Sequence, residues 1–337
     1  MRLATLLAGS LLCGAGVRAQ SWTPQTSPTT VSLRGVRAVS DRVVWASGSN
    51  GTYLRTVDGG AHWTAAQVPG AEKLDFRGIW PVDERIVYLM SAGPGELSRI
   101  YKSDDAGAHW RLQYTQTDSK GFFDTISFWD GHTGLVLGDP PDGSAELLAT
   151  TDGGAHWSRL KTPSSLPGEG AFAASNTCLF VRGSREVWYV TGGPGAARVM
   201  RSRDAGRSWK VATTPIRNDG PGAGIFSVAF RDDDHGVIVG GDYSKDKEGR
   251  QTAAYSSDGG KTWKTPSTPP AGFRSAVKYL PKPGVWIATG TSGSDVSRDD
   301  GRTWTHFDDG AYNAISFTRN GVTGWAVGPK GRIAKYR

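Results

Sequence analysis

One eight-residue pattern, repeated six times, constrains this chain more than any other feature. It reads Ser/Thr, any residue, Asp, any residue, Gly, two residues, Trp, and spans residues 56–63, 103–110, 150–157, 202–209, 256–263 and 297–304. Its carboxylates are Asp58, Asp105, Asp152, Asp204, Asp258 and Asp299, separated by 47, 47, 52, 54 and 41 residues. A period of about 40–55 residues with several short strands per copy is the mark of propeller blades. The residue types suit a tight turn: the hydroxyl and the carboxylate can bind backbone N–H groups, the Gly can take positive φ, and the Trp can seal the gap between blades. All six Asp residues therefore read as structural.

Counting Trp gives a seventh unit. Ser21-Trp22 through Pro28 resembles the strand after each box but has no box before it. The tail offers Asn313–Phe317, Gly324–Gly328 and Arg332–Tyr336, three strands of a last blade with no fourth. The predicted fold is all-β: a seven-bladed propeller of four-stranded antiparallel blades, with the N-terminal strand completing the C-terminal blade. That closure leaves no free sheet edge. Residues 20–337 then form a single domain.

A second register supports seven blades. Each first strand carries a bulky residue followed by a variable one: Leu33-Arg34, Phe76-Arg77, Phe123-Asp124, Phe172-Ala173, Phe226-Ser227, Phe273-Arg274 and Tyr312-Asn313. The variable position is expected to face the mouth of the central channel. The boxes, lying between third and fourth strands, fall on the lower face, so binding or catalysis belongs on the upper one, where loops from all blades converge.

Composition decides the compartment and excludes several functions. Residues 1–19 have a charged start at Arg2, an apolar run too short to span a bilayer, and the small-residue site Val17-Arg18-Ala19, which predicts a signal peptide cleaved after Ala19 and an exported, periplasmic or secreted chain. Cys13 follows two leucines rather than a small residue, which argues against lipidation. Cleavage leaves Cys178 as the sole thiol, so no internal disulfide can form. No later segment is apolar enough to span a membrane. The net charge of +7 drops to +5 when Arg2 and Arg18 leave, and no basic run with interleaved aromatics suggests nucleic acid. His62, His109 and His156 share one register on separate blades and would not gather round a metal. No cofactor is expected, and a monomer is.

Two sets of upper-face residues are candidates for function. In ring order Arg274, Asn313, Arg34, Arg77 and Asp124 place three arginines on one arc, able to hold carboxylates or an acidic peptide segment through bidentate pairs. The long loops of blades three to five carry Asp139, Glu169 and Asp242, which could supply the two carboxylates of glycoside hydrolysis. Local pairing and turn capping are the structural counterparts of these two readings.

The six boxes, with strands such as Gly224–Phe230 and Gly236–Gly241, resemble the BNR-repeat propellers of the photosystem II stability/assembly factor family over nearly the whole mature chain. That resemblance implies a non-catalytic exported scaffold whose arginine patch engages a partner protein, with Arg34, Arg77 and Arg274 as the matching arc. Sialidases also have Asp-boxes, but their Phe/Tyr-Arg-Ile-Pro motif is echoed here only by Phe76-Arg77-Gly78-Ile79 and Phe273-Arg274-Ser275-Ala276, neither matching beyond the Arg. An endoglucanase-like propeller with carboxylates in its upper loops is the enzyme alternative, with a glycan as ligand. An oxidoreductase has no support: there is no Gly-x-Gly-x-x-Gly after a strand, no CxxC and no histidine cluster.

Overall fold

A computed structural model describes residues 20–336. The expected signal peptide and Cys13 lie outside the described residues. Seven antiparallel sheets follow one another along the chain, and the only helical pieces among the described residues are three single 3-10 turns. The fold is the expected seven-bladed propeller. The inner strands are Leu33–Ala38, Phe76–Pro81, Phe123–Phe128, Leu179–Arg182, Ala223–Phe230, Ala276–Leu280 and Ala314–Phe317.

The boxes explain why each blade turns where it does. In all six, the Ser/Thr hydroxyl donates to one Asp oxygen at 2.7–2.9 Å and accepts from the box Gly N–H at 2.8–2.9 Å. The same Asp oxygen accepts the N–H four residues on at 2.9–3.0 Å. The box Gly sits at φ 81–88°, a left-handed backbone that a Cβ would strain. Each Trp then packs between sheets: Trp63 lies among residues of blades one and seven, and Trp304 beside Trp286 and Val237.

Closure of the ring uses both ends of the chain. Trp22–Gln25 pairs antiparallel with the last strand, Trp22 opposite Tyr336 and Gln25 opposite Ile333. The Trp22 indole is 5% exposed, sits within 6 Å of the Tyr312, Phe317 and Tyr336 rings, and donates to Ser294 Oγ at 3.0 Å in blade six. Blade seven is joined to blade one by Leu33 N–H donating to Gly328 O and by the Asn313 amide donating to Leu33 O.

Blade five departs from four strands. Its outer strand is reduced to one bridge between Tyr255 and Lys264. Pro266, Pro269 and Pro270 follow, and a proline has no N–H to give a ladder. The chain there crosses to blade six, where Ser267 N–H donates to Arg302 O and Trp304 N–H to Thr268 O.

Candidate functional site

The upper end of the inner strands is shaped by a recurring β-bulge. Register shifts fall between Leu33 and Gly35, Phe76 and Gly78, Phe123 and Thr125, and Ile225 and Ser227. The extra residues are Arg34, Arg77, Asp124 and Phe226. A bulge re-aims its side chain, and here all four line one cavity of about 620 Å³ at the mouth of the channel. Asn313 and Ser275 line it from blades seven and six.

In blades four, five and six the register differs from the expectation, in blade four because Phe172 and Ala173 lie outside the inner strand. In blade five the bulge residue is Phe226 itself, not Ser227. In blade six Arg274, not Phe273, fills the bulky position. A Cβ on Gly290 would meet Phe273 O and Arg274 Cα, as one on Gly48 would meet Ser32 O and Leu33 Cα. Arg274 is therefore fully buried and outside the cavity, held by Asp295 at 2.5 Å, Ser292 Oγ at 2.8 Å and the Phe273 carbonyl at 2.7 Å. The expected arc of three arginines is a pair.

The channel below the cavity is filled by a segment that sequence reasoning missed. In blade four the run 171–177 precedes the inner strand and reaches five other blades. The Ala173 carbonyl accepts from Arg34 and Arg77, each at 3.3 Å. Asn176 accepts from Ile126 N–H at 2.8 Å and Thr125 Oγ1 at 2.9 Å, and donates to Ile79 O at 3.2 Å. Ser175 donates to Ser275 O at 2.7 Å, and Thr177 to Ser227 Oγ at 2.7 Å. The signal in the sequence was the run of small residues Ala173-Ala174-Ser175-Asn176-Thr177, three of them polar, where the other blades have alternating apolar strand residues. Phe172 and Ala173 thus lie in this plug and not in a strand.

Above the plug the cavity has a charged side and an apolar side. Phe172 and Phe226 stack at 3.9 Å, Phe273 meets Phe226 edge-on at 4.7 Å, and Tyr243 stands at the rim. Opposite them, Arg77 is paired with Asp75 at 2.7 Å. Burial, and then the neighbouring Arg77, bring the Arg34 guanidinium down to about 10. Asp124 is 1% exposed, and neither carboxyl oxygen has a hydrogen-bond partner; the nearby Ala173 N–H does not reach bonding geometry. Burial, reinforced by Asp139, pushes the Asp124 carboxyl well above the usual range against the pull of Arg77. Burial also raises Asp139 to about 6, opposed by the Ala171 N–H that it accepts at 2.9 Å.

The other two loop carboxylates do not line this cavity. Glu169 is buried and fully engaged, by both nitrogens of an Arg198 fork, Thr191 Oγ1 and the Leu166 N–H. Asp242 caps a 3-10 turn by accepting from Ser244 N–H and Oγ at 2.9 and 2.6 Å. Of the three proposed for hydrolysis only Asp139 reaches the cavity, and the carboxyl beside it is Asp124.

The lower face holds the box Asp residues in closed turns. Their second oxygen accepts from His62, His109, His156, Ser208, Thr262 or Thr303 at 2.5–2.7 Å, so imidazole and hydroxyl are interchangeable there as donors. Among the described residues no three His, Cys, Asp or Glu side chains gather as a metal site, and no helix is long and apolar enough to cross a membrane.

Comparison with known proteins agrees with this architecture. The BNR/Asp-box repeat family profile matches residues 254–265, one of the six boxes. No characterised protein matches the chain by sequence. Among solved structures it is similar to YCF48 bound to D1 peptide, with a TM-score of 0.65 at 17% identity over 94% of this chain and 96% of that one. YCF48 from Cyanidioschyzon merolae superposes with a TM-score of 0.64 at 16% identity over 95% and 99% of the two chains. The GH74 enzyme of Niastella koreensis gives 0.61 at 13% identity over 92% of this chain but 53% of the enzyme, so the chain spans about half of it. The chain carries Asp-box repeats and has the propeller fold also seen in YCF48.

Proposed function

We propose that this chain is an exported scaffold, like the photosystem II stability/assembly factors, that holds a segment of a partner protein at its upper face. The observation that carries this reading is the pairing of Arg34 and Arg77, bulge residues of adjacent blades that both line one open cavity. Guanidinium forks are suited to carboxylates, and the plug beneath offers the cavity a fixed floor. The likeness to a propeller bound to a peptide supports the same reading. Replacing both arginines by Glu and repeating a pull-down from the native envelope is the test. Recovery of the partner is expected to fall at least tenfold, since each charge-assisted contact is worth about 1.5–3 kcal/mol. Unchanged recovery overturns the proposal.

A glycoside hydrolase is the second reading, favoured by one observation: Asp124 and Asp139 are two carboxyls in one cavity. Turnover on a glycan panel that disappears in Asp139→Asn would establish it in place of the scaffold.

A further inference from the structure

The cavity contains two like-charged pairs that do not neutralise one another. Arg77 lowers the Arg34 guanidinium and Asp139 raises the Asp124 carboxyl, and no ion pair joins either arginine to either of these carboxyls. Arg77 instead turns to Asp75 and, with Arg34, to the Ala173 carbonyl. The Arg34 Nε has no acceptor, and both oxygens of Asp124 lack a donor although the residue is 1% exposed. Burying a carboxyl without a partner is costly, and protein interiors seldom tolerate it away from a site of use. Two neighbouring carboxyls resist ionising together, and a cation between them favours the ionised form of both.

Resting on the scaffold reading, we infer that the bound segment is dipolar: an acidic side chain meets Arg34 and Arg77, and an adjacent lysine or arginine side chain enters between Asp124 and Asp139. The apolar wall of Phe172, Phe226 and Phe273 covers the aliphatic stems that such side chains bring with them. A purely acidic segment satisfies one half of the cavity and leaves the Asp124 oxygens unpaired. A cation supplies the missing donors and allows both carboxyls to ionise.

Fluorescence anisotropy with the mature chain and short fluorescein-labelled peptides tests this. One peptide carries Glu and Lys a residue apart in a Gly/Ser background; its match has Gln in place of Lys. Near neutral pH the Lys peptide is expected to bind roughly tenfold tighter, and the ratio should fall to about one in Asp124→Asn and in Asp139→Asn. Either variant suffices if the other does not fold by circular dichroism. Equal affinity of the two peptides for the wild type, or a preference for Lys that survives in both variants, overturns the inference and leaves the scaffold reading standing. Failure of both peptides to bind overturns the inference, and if partner capture by the Arg34→Glu/Arg77→Glu chain is also unaltered it overturns the scaffold reading as well.

Discussion

The box hydroxyl is the residue on which each lower turn depends. Ser103 is 1% exposed, and its Oγ is both the acceptor for Gly107 N–H and a donor to Asp105. Alanine there leaves a buried N–H unpaired, so Ser103→Ala is expected to lower the unfolding free energy in urea by about 1–3 kcal/mol without touching the upper face. A contrasting residue is Arg274, whose charge is sealed inside blade six by Asp295. The two kinds of position differ in how far their partners lie along the chain. A box closes within a few residues, and its spacing could be read directly from the sequence. The fate of Arg274 turned on whether it or Phe273 stood opposite Gly290, a question of strand register that side-chain type alone answered wrongly.

At the scale of elements, the closing strand does more than cover an edge. Trp22 fills a space bounded by the rings of Tyr312, Phe317 and Tyr336. Trp22→Ala is expected to cost about 3–5 kcal/mol in chemical denaturation, the range for emptying a large buried aromatic site. A smaller loss would mean that the last blade relaxes into the gap. This element was legible because its absence left one Trp without a box and one blade without a fourth strand. The plug was not. Its contacts join residue 173 to residues 34 and 77, and residue 176 to residues 79 and 126, and no local pattern encodes such pairings. Blade five lost its outer strand for a reason visible in Pro266, Pro269 and Pro270, residues that the regularity of the boxes overshadowed.

Across the whole molecule, acid and base act on the two faces in opposite senses. On the lower face the His62, His109 and His156 N–H groups, with their imidazoles, hold Asp58, Asp105 and Asp152 well below the usual carboxylate range. Depressed groups stabilise the fold above the unfolded value of about 3.9 and lose that contribution as the pH falls below it. On the upper face Asp139 is raised to about 6, so the folded chain binds more protons than the unfolded one and stability declines as pH rises from about 4 through 6. The melting temperature should therefore fall in strong acid and also decline toward neutrality. Asp139→Asn should make the second limb shallower without changing the acid one, the raised Asp124 carboxyl still contributing to it; an unchanged decline would show that other groups cause it.

The partnership of the first strand with the last also sets a timetable. Trp22–Gln25 is made about 310 residues before its mate, Ile333–Tyr336. At about 5–20 residues per second, the first strand waits on the order of tens of seconds before it has anything to pair with. Until then six blades can assemble as an open arc, and the ring becomes a ring only once Ile333–Tyr336 has been made.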